Sequence, residues 1–241
     1  MENFFKNNYV RFGLVLGGSL ILSVIIGAYT FYSTRSINYI STTGSATETV
    51  ASDQVKWTAN ITRPATQATM QNAYAEMASD LKTVKDFLAK NGVPAEDVDV
   101  SPVYMNQVYD QKYGADKNYD LSQNITVQSN DVKKIGDLAK NTAPLAQAGL
   151  LFSTNSLEYY YSKLPEARVS LLAAAIADAK ARAGEIAKAG GNKIGAISSA
   201  SNGVVQVLAP NSQNISDYGT YDTSTVEKVV MVTVRASFAI R

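Results

Sequence analysis

The chain has 241 residues with 22 basic and 21 acidic side chains, a formal net charge of +1 and no basic block, which argues against a nucleic-acid surface. It contains neither cysteine nor histidine, which removes thiol catalysis, disulfides and thiolate metal sites, together with the commonest general base and metal ligand near neutral pH.

The run Phe12 to Thr34 is free of charged side chains and bounded by Arg11 and Arg35. At about 1.5 Å per residue such a helix is just long enough to cross a hydrocarbon core of roughly 30 Å. A cleaved secretory signal usually has a shorter apolar middle, of about 7–15 residues, and a small-x-small exit. Here Ile26 precedes Ala28 at the required spacing and the exit is the bulky Tyr29-Thr30-Phe31-Tyr32, so an uncleaved anchor is the reading. Lys6 and Arg11 precede the run closely, whereas Arg35 is the only cation after it until Lys56, which points the N-terminus to the cytoplasm. Gly13 and Gly17 form a G-x-x-x-G, and Ser19, Ser23 and Gly27 continue small residues at intervals of four, the pattern that lets membrane helices approach closely. The implied organisation is a short cytoplasmic N-terminus (1–11), a membrane anchor (12–34) and an extracytoplasmic domain (35–241). Less the anchor, about 200 residues remain, enough for one sizeable core.

Residues 36–49, with the turn-prone Thr43-Gly44-Ser45, read as a linker leading into a first strand. Val55, Trp57, Ala59 and Ile61 alternate with polar residues as in a strand with one buried face, ended by Pro64. Met70, Tyr74, Met77, Leu81, Val84 and Leu88 fall at steps of four and three on one face of a long helix, with Asn91-Gly92 as its stop. Val98, Val100, Pro102 and Tyr104 share one strand parity, with Pro102 marking an edge or bulge, and Tyr119, Leu121, Ile125 and Val127 share another beyond a polar loop, 110–118. Asp131 is placed to cap a short helix carrying Val132, Ile135, Leu138 and Ala139, with Pro144 at its far end.

A strand from Leu150 to Tyr161 follows, then an alanine-rich helix from about Leu164 to Ala189 that stops at Gly190-Gly191. Its predicted packing face is Leu164, Leu171, Leu172, Ala175, Ala179, Ala183 and Ile186. After an extended segment, 194–208, and a loop, 209–224, the last strand places Val226, Val230, Val232, Val234, Phe238 and Ile240 on one face and Val229 and Met231 on the other. A strand apolar on both faces is central, or is covered by another subunit. This order predicts an α+β domain, mainly antiparallel sheets with about three helices packed on them.

Candidate chemistry is thin. Glu96, Asp97 and Asp99 follow Pro94 as a solvated turn would, whereas a hard cation needs six or more oxygens in a shaped loop. Tyr159 and Tyr161 are expected on a core edge with Tyr160 outside. Gly190-Gly191-Asn192-Lys193 ends a helix, and a phosphate cradle needs a helix start. Ser79 and Lys82 have serine-hydrolase spacing without its companion motifs. No catalytic residue, cofactor or metal is assigned.

The segments Thr43-Gly44-Ser45-Ala46-Thr47, Ser52-Asp53-Gln54-Val55, Asn91-Gly92-Val93, Pro102-Val103-Tyr104, Ala148-Gly149-Leu150-Leu151-Phe152 and Gly190-Gly191-Asn192-Lys193-Ile194-Gly195 resemble, in order, the SIMPL domain. The chain departs from that family in Ser52, often proline there, and in Tyr221-Asp222-Thr223-Ser224 where a proline-glycine pair is usual. The resemblance implies a bacterial envelope protein, in some members a large ring-like or barrel-like homo-oligomer, in a family that includes an oxidative-stress-associated protein and a periplasmic immunogenic protein; no catalytic residues come with it. Two expectations follow: a non-enzymatic, membrane-anchored scaffold or stress-related element whose partners are lipid and its own copies, or a tethered module for a small ligand, a peptide or another envelope protein. For either, Tyr109, Tyr113, Tyr218 and Tyr221 in the loops 105–118 and 209–223 are the candidate contacts.

Overall fold

The computed structural model describes residues 8–35, 38–108 and 117–241. In chain order the elements are α1 (Asn8–Arg35), β1 (Tyr39–Ala51), β2 (Gln54–Thr66), α2 (Met70–Lys90), a 3-10 turn (Ala95–Asp97), β3 (Val98–Val100), β4 (Tyr104–Val108) and β5 (Asn118–Ser129). There follow α3 (Val132–Lys140), α4 (Ala143–Gln147), β6 (Phe152–Tyr160), α5 (Leu164–Ala189), β7 (Ile194–Asn202), β8 (Gln206–Leu208) and β9 (Glu227–Ile240). The protein is α+β with antiparallel sheets and an N-terminal apolar helix, as its sequence predicts. Pro144 does not close α3 but opens the five-residue α4, where a residue without an N–H is harmless in the first turn.

Two compact units divide the chain: unit 1 comprises residues 1–45, 174–203 and 233–241, and unit 2 residues 46–173 and 204–232. In unit 1, β7 pairs with β9 from Ile194↔Ile240 to Asn202↔Val234, with two irregularities between Ile194 and Ser199. Its core is small: Ala179 and Ala183 of α5 against Ala236 and Phe238 of β9, flanked by Ile40 and Ile194. Thr43-Gly44-Ser45, expected as part of a linker, lies in the middle of β1. The glycine serves close approach rather than a turn, because a Cβ at Gly44 would strike the backbone of Ala175 and Ala179. Around it, the Thr42 hydroxyl donates to the Ala179 carbonyl at 2.8 Å, and the Ser45 N–H donates to the Asp178 carboxylate at 2.9 Å.

Unit 2 is built on a sheet in the order β3-β5-β2-β6, with β4 also paired to β5. Trp57, Ile61, Met77, Leu88, Leu121 and Ile125 are among its fully enclosed side chains, drawn from β2, α2 and β5. Pro64 does not end β2, which continues to Thr66 in register with Asn118. The Thr62 N–H donates toward β6, to Leu151, and β6 pairs no further than Ile61. Two residues on, Pro64 turns its N–H-less nitrogen to that same side, where no strand requires a donor.

On α2 the buried stripe is Ala73, Met77, Asp80, Val84 and Leu88, and Tyr74, predicted on that face, is 42% exposed. Asp80 enters the stripe because Arg63 of β2 meets it with two hydrogen bonds. The helix stops as predicted at Gly92, with φ of 73°. Val93 N–H reaches the Leu88 carbonyl and Gly92 N–H the Ala89 carbonyl, the Schellman pattern, and α4 and α5 end the same way at Gly149 and Gly191. Asp131 caps α3 by accepting the Lys134 N–H at 3.0 Å. On α5 the buried line is Ala167, Leu171, Ala175, Ala179, Ala183 and Ala187, and Ile186 faces outward.

The last strand is central, in the order β1-β9-β7 with β8 also on β9. Its buried face carries Lys228, Val230, Val232, Val234, Ala236 and Phe238, while Val226 is 40% exposed and Ile240 half-buried. In unit 2, Val207, Val230 and Val232 pack with Val50 and Leu171 in a second cluster.

Candidate functional site

Two regions hold the residues singled out in the sequence. The first is α1, in which Tyr9–Tyr32 spans 24 residues at a mean hydropathy of 2.1, with its apolar window unburied. This is long and apolar enough to cross a membrane. A Cβ at Gly13, Gly17 or Gly27 would meet nothing. The Ser19 hydroxyl donates to the Leu16 carbonyl and the Ser23 hydroxyl to the Ser19 carbonyl, at 2.9 and 2.8 Å. Those hydroxyls are thus satisfied within the helix, as hydrocarbon surroundings demand.

The second region is the loop before β9, in unit 2. Its backbone is held at three places. Buried Gln206 donates its amide to the Ser216 carbonyl at 2.6 Å. Val207 N–H donates to Thr220 and Asp222 N–H to Val207, at 2.7 and 2.8 Å, laying Tyr221 parallel to β8. Between these ties the chain turns at Gly219, φ 91°, where a side chain would also press on Val204 and the Val205 carbonyl.

The third tie is Lys228, fully enclosed, whose ammonium donates to the carbonyls of Asp222 and Thr225 and lies 3.7 Å from the Asp222 carboxylate. Burial pushes the Lys228 amine below the usual lysine range, against the opposing pull of Asp222. Burial alone would raise the Asp222 carboxyl, but hydrogen bonds from Thr225 and Ser224, with the nearby ammonium, hold it below its usual range.

The two candidate tyrosines of this loop part company. Tyr221, 38% exposed, is tied to its surroundings: its hydroxyl accepts the Tyr161 N–H at 2.8 Å, its ring lies 6.0 Å from that of Tyr160, and the Lys228 ammonium sits 5.8 Å from its centroid. Tyr218 is 96% exposed, beside Ile215 at 62%. Tyr109 and Tyr113 lie outside the described residues, and 105–108, expected as loop, belong to β4. Tyr159 is buried in the unit 2 core, which raises its phenol above the usual range; Tyr161 packs on the second cluster and Tyr160 is half-buried outside, as predicted.

The weaker constellations resolve into local structure. Lys82 pairs with Asp86 instead of Ser79. Gly190-Gly191 closes α5. No group of three or more carboxylates suited to a metal ion occurs among the described residues. Sequence reading passed over Lys228, although a signal was there: it shares the parity of Val230 and Val232, so extending that face one step back places a lysine inside.

Comparison with curated proteins returns no match. A family model described as SIMPL, protein of unknown function (DUF541), matches residues 40–238. That span holds 199 of the 241 residues and takes in every strand from the second residue of β1 onward except the last two residues of β9, so the chain belongs to the SIMPL family.

Proposed function

We propose that this protein is a membrane-anchored, non-catalytic envelope protein whose folded part assembles into a ring-like or cage-like homo-oligomer, acting as a scaffold or as a membrane-organising, stress-related element. The observation that carries the reading is the 24-residue stretch Tyr9–Tyr32 of α1, whose apolar window finds no burial within its own chain and so calls for lipid or other copies around it. Lys6 and Arg11, which precede its uncharged run 12–34, support a cytoplasmic N-terminus and a periplasmic folded part. The half-buried Val229 and Met231 on the outer face of β9 support contact between copies. The test is the mass and shape of the full-length protein in mild detergent, by light scattering on a sizing column and particle imaging. A closed assembly with the anchors gathered at its ends is expected, and a monodisperse monomer sinks the proposal.

A second reading, a tethered binding module, draws on Tyr218, a nearly free aromatic ring on a loop fixed by Gln206 and Lys228. Tyr218→Ala loosens the assembly on the first reading and abolishes ligand capture on the second. If it does neither, the loop has no part in either.

A further inference from the structure

A sheet can take on a further strand wherever the outer backbone groups of its edge are left open, and folded proteins blunt such edges with charge, proline, short strands or irregular register. Three of the edges here are blunted. The Asp178 carboxylate accepts the Ser45 N–H of β1. On β6 the Tyr159 N–H donates to the Thr223 carbonyl, and the register with β2 shifts between Thr58 and Ala59. The edge across that sheet from β6 is cut into β3 and β4, of three and five residues, with Pro102 between them.

The edge at β7, in unit 1, is different. This strand carries neither charge nor proline, and every residue from Ala196 to Asn202 is exposed. Its pairing with β9 is irregular as far as Ser199 and then runs one for one, from Ser199↔Ser237 to Asn202↔Val234. Just beyond, the Gly203 N–H donates to the Thr233 carbonyl. The alternation of an antiparallel ladder therefore turns the backbone groups of Ser199 and Ser201 toward β9 and those of Ala200 and Asn202 to the outer side. Among the described residues, no backbone or side-chain group hydrogen-bonds to that outer side.

We propose that β7 is the strand through which two copies of this chain pair, edge to edge and antiparallel about Ala200. The inference rests on the assembly proposed above and names one of its contacts. A two-fold contact sets the same strand on both sides, so the sequence has to suit itself. With Ala200 opposite Ala200, Ser199 meets Ser201 and Ser198 meets Asn202. Small side chains that donate and accept then face one another, and no like charges are brought together. A foreign strand is selected by pockets for its alternate side chains, and Ser199, Ala200 and Ser201 are too small to wall such pockets.

The chain has no cysteine of its own, which permits a direct test on the full-length protein in mild detergent. Opposite residues of an antiparallel pair stand about 4.5–5.5 Å apart at Cα, within reach of a disulfide. Ala200→Cys is expected to give a covalent dimer under mild oxidation about tenfold faster than Ala173→Cys, at an exposed position on α5. Ala200→Pro removes an N–H that the fold leaves unused, so it should keep the parent's thermal midpoint while the mass of the assembly falls to half or less. The pairing is overturned, with the assembly left standing, if Ala200→Cys cross-links no faster than Ala173→Cys or if Ala200→Pro keeps the parent's mass. A lowered midpoint in Ala200→Pro overturns the open edge itself, and a cross-link from Ala200→Cys to a chain of another mass in cells gives the edge to a different partner. A parent that is a monodisperse monomer overturns the assembly and this contact together.

Discussion

The cores of the two units are made of opposite materials. Unit 2 fills its interior with large side chains, Trp57, Ile61, Met77 and Leu121 among them, whereas unit 1, with Phe238 its one large buried side chain in that cluster, brings α5 against its sheet through Ala179, Ala183 and Ala236, with Gly44 where backbone meets backbone. A core of large side chains gains from the area it removes from water and fails when volume is taken out. Small residues instead gain from close approach, and such a contact fails when volume is put in.

Trp57→Ala, which empties the centre of unit 2, is therefore expected to cost most, about 3–5 kcal/mol, read as a fall in the urea midpoint. Gly44→Ala adds one methyl and is expected to cost about 3 kcal/mol because its neighbours are backbone and cannot swing aside; Ala59→Gly, which removes one methyl in unit 2, should cost far less. If Gly44→Ala is tolerated, the contrast between the units is wrong. Polar clasps rank next. Asp80→Asn, which leaves the Arg63 guanidinium without its carboxylate, is expected to cost about 2 kcal/mol, with salt moving the difference little because Asp80 is buried.

The Lys228 clasp sharpens the picture through pH. Asp222 is held below the ordinary carboxylate range, so its contribution is complete above about pH 4 and lost as the pH falls through its lower folded value. Lys228 acts with the same sign in a higher pH window. Its folded value is depressed, the unfolded chain binds the proton more readily, and this group's contribution rises as the pH climbs toward about 10. Thermal midpoints across pH 2–5 should flatten in Asp222→Asn, and those across pH 8–10 in Lys228→Met. The smallest effect is expected at Tyr218→Ala, within about 0.5 kcal/mol, since so exposed a ring has little to lose. A large loss of stability there would show that the loop is held by contacts beyond Gln206 and Lys228.

Legibility in the sequence followed the same contrast. Where apolar residues are large and periodic, as in β2 and α2, or where a glycine ends a helix, as at Gly92 and Gly191, position and type could be read directly. The limits of α5, Leu164–Ala189, came out to the residue because an alanine run meets Gly190-Gly191. Small residues misled: Gly44 has the local chemistry of a turn, and only the distant Ala175 and Ala179 explain it. On α5 the hydrophobic Ile186 outweighed Ala187 on any scale of apolarity, yet the close contact selects the smaller side chain for the inside. Asp80 broke a hydrophobic stripe because its partner, Arg63, is 17 residues away on a strand. The candidate tyrosines illustrate another limit, since composition marks Tyr218 and Tyr221 alike and only the fold separates a hydrogen-bonded ring from a free one.

Only residues 36–38 lie between α1 and β1, a leash that reaches at most about 11 Å when fully stretched. On the proposed anchored, self-assembling reading, β1 would start near the lipid headgroups, and copies would search for one another across a plane instead of through a volume. A contact too feeble to survive dilution in solution is then met again and again by the same neighbours. Lengthening that leash would return the missing dimension, with every folded residue unchanged.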